Sequence, residues 1–211
     1  MNRDNVISLY ESKFIKLYDL QYEEGKHYFD ATRRSADDVV AIKSTEEFKR
    51  MLPDAVSCFV ILDGEEPRLL LSWEYRYPAG QYLLSPPAGL IDPEDRDCDE
   101  PLIRTAIREI KEETGIDVDG HDRVSVVNPL VFSTPGMTDE SNGLVCAVLK
   151  DKDEGCLTHA GAVGTERFEG FLLADRDKAR SLLKNGRDDD GIFYSVYTWM
   201  ALMYFVSDMW K

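Results

Sequence analysis

The sequence predicts an α+β fold: a mixed β-sheet with helices packed on its faces, preceded by a small antiparallel β arm. Three observations carry this expectation. Short strand-like runs recur through residues 14–84 and again through 123–173. Helix-like segments interrupt them without regular strand–helix–strand alternation. The composition, 43% apolar and 31% charged over 211 residues, suits one sizeable core with an appendage. The arm is placed at residues 1–50 and the main domain at 51–211.

Within the arm, Phe14 to Tyr22, His27 to Ala31 and Val39 to Ile42 read as strands, with EEGK as the first turn. Thr45 to Met51 is a short helical candidate. Val56 to Leu62 and Arg68 to Tyr75 form a hairpin around DGEEP. Tyr82 to Leu84 is a further strand, followed by SPPAGLIDPED, rich in proline, glycine and aspartate and read as a loop. The best-signalled helix is Pro101 to Thr114, with proline in its first turn and Gly115 just past its end. Arg123 to Phe132, Gly143 to Leu149 and Phe168 to Leu173 then read as strands, and Asp175 to Asn185 and Phe193 to Trp210 as helices. The last segment carries Ser195, Thr198, Ser207 and Asp208 and no basic flank, which favours a buried helix over a membrane span.

A formal net charge of −15 disfavours nucleic acid and anionic membranes as partners. A polyanionic small substrate would need arginines or a metal cation to bridge it to the protein. Cys58, Cys98, Cys146 and Cys156 are scattered without a CxxC pair, and MNRDNVISLYESKF lacks the apolar run of a leader, so reduced thiols and a cytoplasmic location are expected. His27, His121 and His159 are far apart in turn or loop contexts and read as surface residues rather than zinc ligands.

At 100° per residue the 101–114 helix shows two stripes. Ile103, Ala106, Ile107 and Ile110 fall on one side; Glu109, Glu112 and Glu113 cluster beside them. Most charge runs are merely solvated faces. Here, however, like charges at i and i+4 cost about 0.2–0.5 kcal/mol. They also sit near the C-terminal end, where the helix dipole disfavours anions. A divalent cation among them reverses that sign, and an oxygen-only donor set points to Mg²⁺, Mn²⁺ or Ca²⁺.

Written out, the segment is Gly89, ten residues, Glu100, seven residues, then REIKEETGI from Arg108 to Ile116. It resembles the Nudix hydrolase signature GX5EX7REUXEEXGU, matching from Glu100 onward, with a first spacer five residues longer. The flanking PPAGLID, EYRYP at Glu74 to Pro78 and TPGMTDE at Thr134 to Glu140 resemble the ADP-ribose (ADP-sugar) pyrophosphatase branch. The likeness extends over about residues 12–175, including SKFIKLYDLQY and HYFDATRRSADDVVAI. One position departs: two places before Pro-Ala-Gly, where that branch is acidic, stands Ser85.

The resemblance implies a Nudix-type α/β/α sandwich and Mg²⁺-dependent cleavage of ADP-ribose or a related ADP-sugar to AMP and a sugar phosphate, with Mn²⁺ as a possible substitute. It implies metal ligation by Glu109, Glu113 and the Ala88 carbonyl, with Glu112 either a further ligand or a partner supporting the ligands, and with Arg108 orienting a glutamate. Glu166 is the favoured general base and Glu140 the other candidate. It further implies adenine recognition by Phe14 and Tyr28, phosphate contacts from Arg33 and Arg76, and a homodimer joined through the arm. Two alternatives stand beside it: another nucleoside diphosphate derivative as substrate (NADH, another NDP-sugar or a triphosphate), or a catalytically silent nucleotide-binding domain. The intact REIKEETG run and the absence of a helix-turn-helix or basic patch weigh against the second.

Overall fold

A computed structural model describes residues 1–211. The chain divides into two compact units: Met1–Asp54 with Pro129–Asn142, and Ala55–Asn128 with Gly143–Lys211. The fold is α+β, as the sequence predicts, with a three-stranded and a seven-stranded sheet.

In the first unit, strands β1 (Val6–Glu11), β2 (Lys16–Glu23) and β3 (Lys26–Thr32) form an antiparallel sheet in that order. One face closes on a small core of Val6, Tyr18, Leu20, Ala36 and Val39. The remaining large side chains of β1 and β3, among them Ile7, Leu9, Tyr10 and Phe29, are exposed. Val39 to Ile42 is not a strand. Val40–Ile42 is a 3-10 turn in which the Ile42 and Lys43 amides donate to the Val39 and Val40 carbonyls, and the Val40 amide donates to the distant Asp139 carboxylate at 3.0 Å, so these groups are not open to a ladder. A four-residue helix α1 (Thr45–Phe48) follows, closed by a Ser44/Glu47 capping box.

Buried Asp30 on β3 accepts the Asp139 amide at 3.0 Å. Burial and the neighbouring Asp139 charge push its carboxyl up to about 6. The folded state thus binds this proton more tightly than the unfolded chain. The group's contribution to stability is complete below about pH 4 and is lost as pH rises through 6. Asp30→Asn keeps an oxygen for the Asp139 amide, so its thermal midpoint should exceed the parent's by a margin that opens between pH 4 and 7. Calorimetric scans showing a constant margin over that range would refute this.

The second unit is built on β4 (Ala55–Asp63), whose continuous apolar run is buried along all but its last residue, as befits a strand covered on both faces. It pairs with β5 (Arg68–Arg76), which carries β6 (Gln81–Ser85); β4 also carries the short β7 (Ala88–Leu90). A single turn, α2 (Pro93–Arg96), precedes the long helix α3 (Pro101–Thr114). Pro101 opens α3 and Gly115, at φ +77°, ends it with an amide bond to the Lys111 carbonyl. Strands β8 (Arg123–Phe132), β9 (Ser141–Lys150) and β10 (Phe168–Ala174) complete the sheet order β10-β5-β4-β9-β8. Helices α4 (Arg176–Asn185) and α5 (Val196–Val206) close the chain.

Helix α3 lies against β4 and β7, and α5 against β4, β5 and β6. Their shared core includes Phe59, Ile61, Leu70, Ala106, Ile110, Leu202 and Phe205. Helix α5 is shorter than the Phe193 to Trp210 expectation. It is not wholly buried either: Thr198, Ala201, Leu202 and Phe205 face the core, while Trp199 and Met203 are exposed. No helix is long and apolar enough to cross a membrane.

Candidate active site

The short strand β7 and the long helix α3 create the site, and glycine is the reason they can. Strand β7 pairs with β4 through Ala55–Leu90, Val56–Gly89 and Ser57–Ala88, and α3 packs on both strands. At Gly89 the missing side chain is replaced by the carboxylate of Glu109, so closely that a Cβ built there would overlap it. The neighbouring Ala88 amide donates to Glu113 Oε1 at 3.3 Å.

This placement shifts the buried face of α3 from the one its aliphatic residues suggest. Ile103 and Ile107 are only half-buried, whereas Glu109 and Glu113 keep 5% and 3% of their surface. Space over the small residues Ala88 and Gly89 admits the two carboxylates where a larger neighbour would have excluded them. Burial pushes the Glu109 carboxyl up to about 7, against the opposing pull of Arg108 and with Glu112 and Glu166 adding to the rise. Glu113 is raised well above the usual carboxylate range by burial and by the charges of Glu74, Glu109 and Glu166. Glu74, on β5, is raised by burial and by Glu166 while Arg76 Nη2 pairs with it at 2.5 Å. Three buried or half-buried carboxylates, Glu74, Glu109 and Glu113, therefore lie within reach of one another's charge, and the exposed Glu166 of the β9–β10 loop adds to the repulsion.

Arg108 supplies the positive charge among them. Its Nη1 donates to Glu109 at 2.6 Å and to Glu112 at 3.1 Å. Its Nη2 and Nε reach Asp95 at 3.2 Å, and Nη2 also donates to the Leu90 carbonyl at 3.0 Å. Asp95, almost fully buried, additionally accepts from Thr105 at 3.1 Å and Arg104 at 3.0 Å.

No three acidic, histidine or cysteine side chains are gathered into a ready coordination shell. The donor chemistry nevertheless fits a hard divalent ion: all-oxygen carboxylates, buried, mutually repelling and set against a glycine cradle. Glu109, Glu113 and Glu112 are the residues that could hold it.

Glu166 lies close enough to act on three of these carboxylates, and its own Oε2 accepts the Val163 amide at 2.8 Å, closing a turn in its loop. Glu140, the other candidate base, belongs to the first unit and pairs with Arg33 at 3.3 Å. Phe14 is exposed in the turn between β1 and β2. Tyr28 donates its hydroxyl to the Gly136 carbonyl at 2.7 Å. It lines an apolar cavity of about 470 Å³ with Leu20, Tyr22, Phe132, Met137 and Asp30. Phe14 is not among the residues of that cavity. Ser85 is buried, and its hydroxyl donates to the Leu83 carbonyl at 3.3 Å.

The sequence reading missed Glu74, Asp95 and His159 as neighbours of the site. Glu74 could have been found from its alternation with Ser72 and Arg76 on one strand face. His159 is not a surface residue: it is half-buried and stacked on Phe168 and Phe171.

The NUDIX domain family pattern matches residues 51–182 of this chain. A Caenorhabditis elegans protein assigned to the nudix hydrolases is 42% identical over 109 residues, covering 50% of this chain and 44% of that protein. An ADP-ribose pyrophosphatase of Saccharomyces cerevisiae is 34% identical over 95 residues, covering 44% of this chain and 37% of the yeast enzyme. The matched stretch thus spans less than half the length of either relative. Among solved structures, an ADP compounds hydrolase superposes with a TM-score of 0.58 at 20% identity, covering 98% of this chain and 91% of that one, a likeness of fold.

Proposed function

Because the chain belongs to the Nudix family, we propose that it hydrolyses the pyrophosphate bond of ADP-ribose or a related ADP-sugar, releasing AMP and a sugar phosphate. One observation carries the reading: Glu109 and Glu113 are buried beside Gly89 with Glu74 and Glu166 at hand, an arrangement that is costly for the fold and useful for holding a dication on a diphosphate. The similarity to the yeast ADP-ribose pyrophosphatase supports the choice of substrate.

Glu109, Glu113 and Glu112 would hold Mg²⁺, or Mn²⁺ in its place, with the Ala88 carbonyl as a backbone donor. When bound, the ion supplies charge neutralisation at the diphosphate and a more acidic water. The chain's own groups do the rest. Arg108 orients Glu109 and Glu112 through the hydrogen bonds described above. Glu166 leaves the Val163 amide and accepts a proton from the attacking water; the P–O bond to the leaving phosphate breaks as the new one forms. Arg76 and Arg33 bind phosphate oxygens. Tyr28, which lines its apolar cavity, and Phe14 recognise the adenine ring.

A homodimer joined through the arm is part of the same proposal. Ile7, Leu9, Tyr10, Phe14, Ile15 and Phe29 of the arm are all exposed, apolar surface that a second copy of the chain would cover. The unpaired state of all four cysteines supports a reducing, cytoplasmic setting.

The decisive experiment is chromatographic. With Mg²⁺, ADP-ribose should yield equimolar AMP and ribose phosphate, and a chelator should abolish turnover. The same assay across NADH, other NDP-sugars and triphosphates ranks substrates by kcat/KM. A panel on which nothing is cleaved at any Mg²⁺ or Mn²⁺ concentration would refute the reading.

A further inference from the structure

The β9–β10 loop, residues 151–167, carries Glu166; Lys152 and Glu154 tie its start to Asp119, Asp122 and Arg68, and two further fastenings flank Glu166 itself. At its end, the Tyr75 amide donates to the Arg167 carbonyl at 2.8 Å, and the Tyr77 hydroxyl to the Thr165 carbonyl at 3.4 Å. At its middle it is docked on the last turn of α3. The Thr158 amide donates to the Thr114 carbonyl at 3.0 Å, and His159 Nδ1 to the Glu113 carbonyl at 2.8 Å. A carbonyl oxygen can only accept, so Nδ1 carries the hydrogen. Two residues on, Gly161 lies so close to Glu112 that a Cβ there would stand 2.5 Å from its carbonyl oxygen and 2.9 Å from its Cα. The carbonyls of 113 and 114 are among the last four of α3, which have no partner within the helix.

His159 does more than cap. Its ring stacks on Phe168, with centroids 4.6 Å apart and planes 9° apart, and on Phe171, at 3.8 Å and 21°. Its Nε2 lies 3.3 Å from the Gly170 carbonyl. One side chain therefore joins the end of α3 that bears Glu112 and Glu113, the middle of the loop, and the start of β10. The turn closed by Glu166 on Val163 lies between the two fastenings.

We propose that His159 is a positioning residue of the hydrolysis, setting the reach from the carboxylate-bearing turn of α3 to Glu166. This rests on the hydrolase reading and on Glu166 as proton acceptor. His159 touches neither substrate nor ion. Its effect belongs to the geometry of proton removal, where a displacement near 1 Å can lower the rate about a hundredfold.

Two variants separate its parts. His159→Phe preserves a ring between the phenylalanines and removes both nitrogens; His159→Gln preserves a donor for the Glu113 carbonyl and loses the ring. With ADP-ribose and Mg²⁺, His159→Phe should lower kcat about tenfold, the scale of one well-placed hydrogen bond, and leave KM within about twofold. His159→Gln should recover part of the loss. Hydrogen exchange in the 158–167 peptide should quicken in His159→Phe, while exchange within α3 and the thermal midpoint stay near the parent's. Parental kcat and loop protection in His159→Phe would overturn the proposal, as would a fall in kcat matched by a general loss of stability. An active parent with an unaffected variant removes the role of His159 alone. A parent inactive on every nucleoside diphosphate derivative removes the hydrolase reading and this role with it.

Discussion

Glu113→Gln should lower kcat for ADP-ribose hydrolysis by about 10³ without lowering the thermal midpoint, the scale expected when a charge-stabilising group is lost from a catalytic cleft. The two effects separate because the carboxylate is a liability to the folded chain. Glu113 retains 3% of its surface, and its charge is opposed by burial, Glu74, Glu109 and Glu166. Glutamine has the same shape and keeps an oxygen for the Ala88 amide, so neutralising the position removes repulsion while preserving that hydrogen bond. Calorimetry alongside steady-state kinetics checks both halves. A midpoint several degrees lower would show that Glu113 is held by partners that outweigh its burial, and full activity would remove it from the ion-binding set.

Gly89→Ala should be nearly as damaging to turnover, by a different route. The added methyl would occupy the volume of the Glu109 carboxylate, so either that side chain leaves its place or β7 parts from β4. Overpacking of this kind costs about 1–3 kcal/mol. Activity should fall more than about a hundredfold, because a displaced Glu109 also loses Arg108 as its partner. Gly120→Ala is the control, since a Cβ at Gly120 meets nothing within 4 Å. Turnover unchanged in Gly89→Ala would mean that Glu109 can serve from another rotamer.

These residues mark where the sequence could be read and where it could not. Helix α3 was legible to the residue because Pro101 and Gly115 are local signals that act through their own backbone angles. The acidic cluster was legible as an energetic anomaly along one helix. Its burial was not, since that depends on Gly89 arriving from a strand that is brought in by main-chain pairing to β4. Strand β7 has no side-chain alternation to announce it; its proline- and glycine-rich surroundings read as loop. Strand β1 escaped for a related reason, because only Val6 of its six residues is buried. Glu74 and His159 matter through neighbours far away in the chain, and no spacing rule within one element reports such neighbours.

Arg108 has two separate sets of partners. One nitrogen reaches forward to Glu109 and Glu112, while the others are anchored behind by Asp95 and the Leu90 carbonyl. A guanidinium moored at the rear is held in place while it orients its forward carboxylates. Were a cation held by those carboxylates, the same rear mooring would keep the arginine paired as their charge is shared, and the helix beneath it need not move.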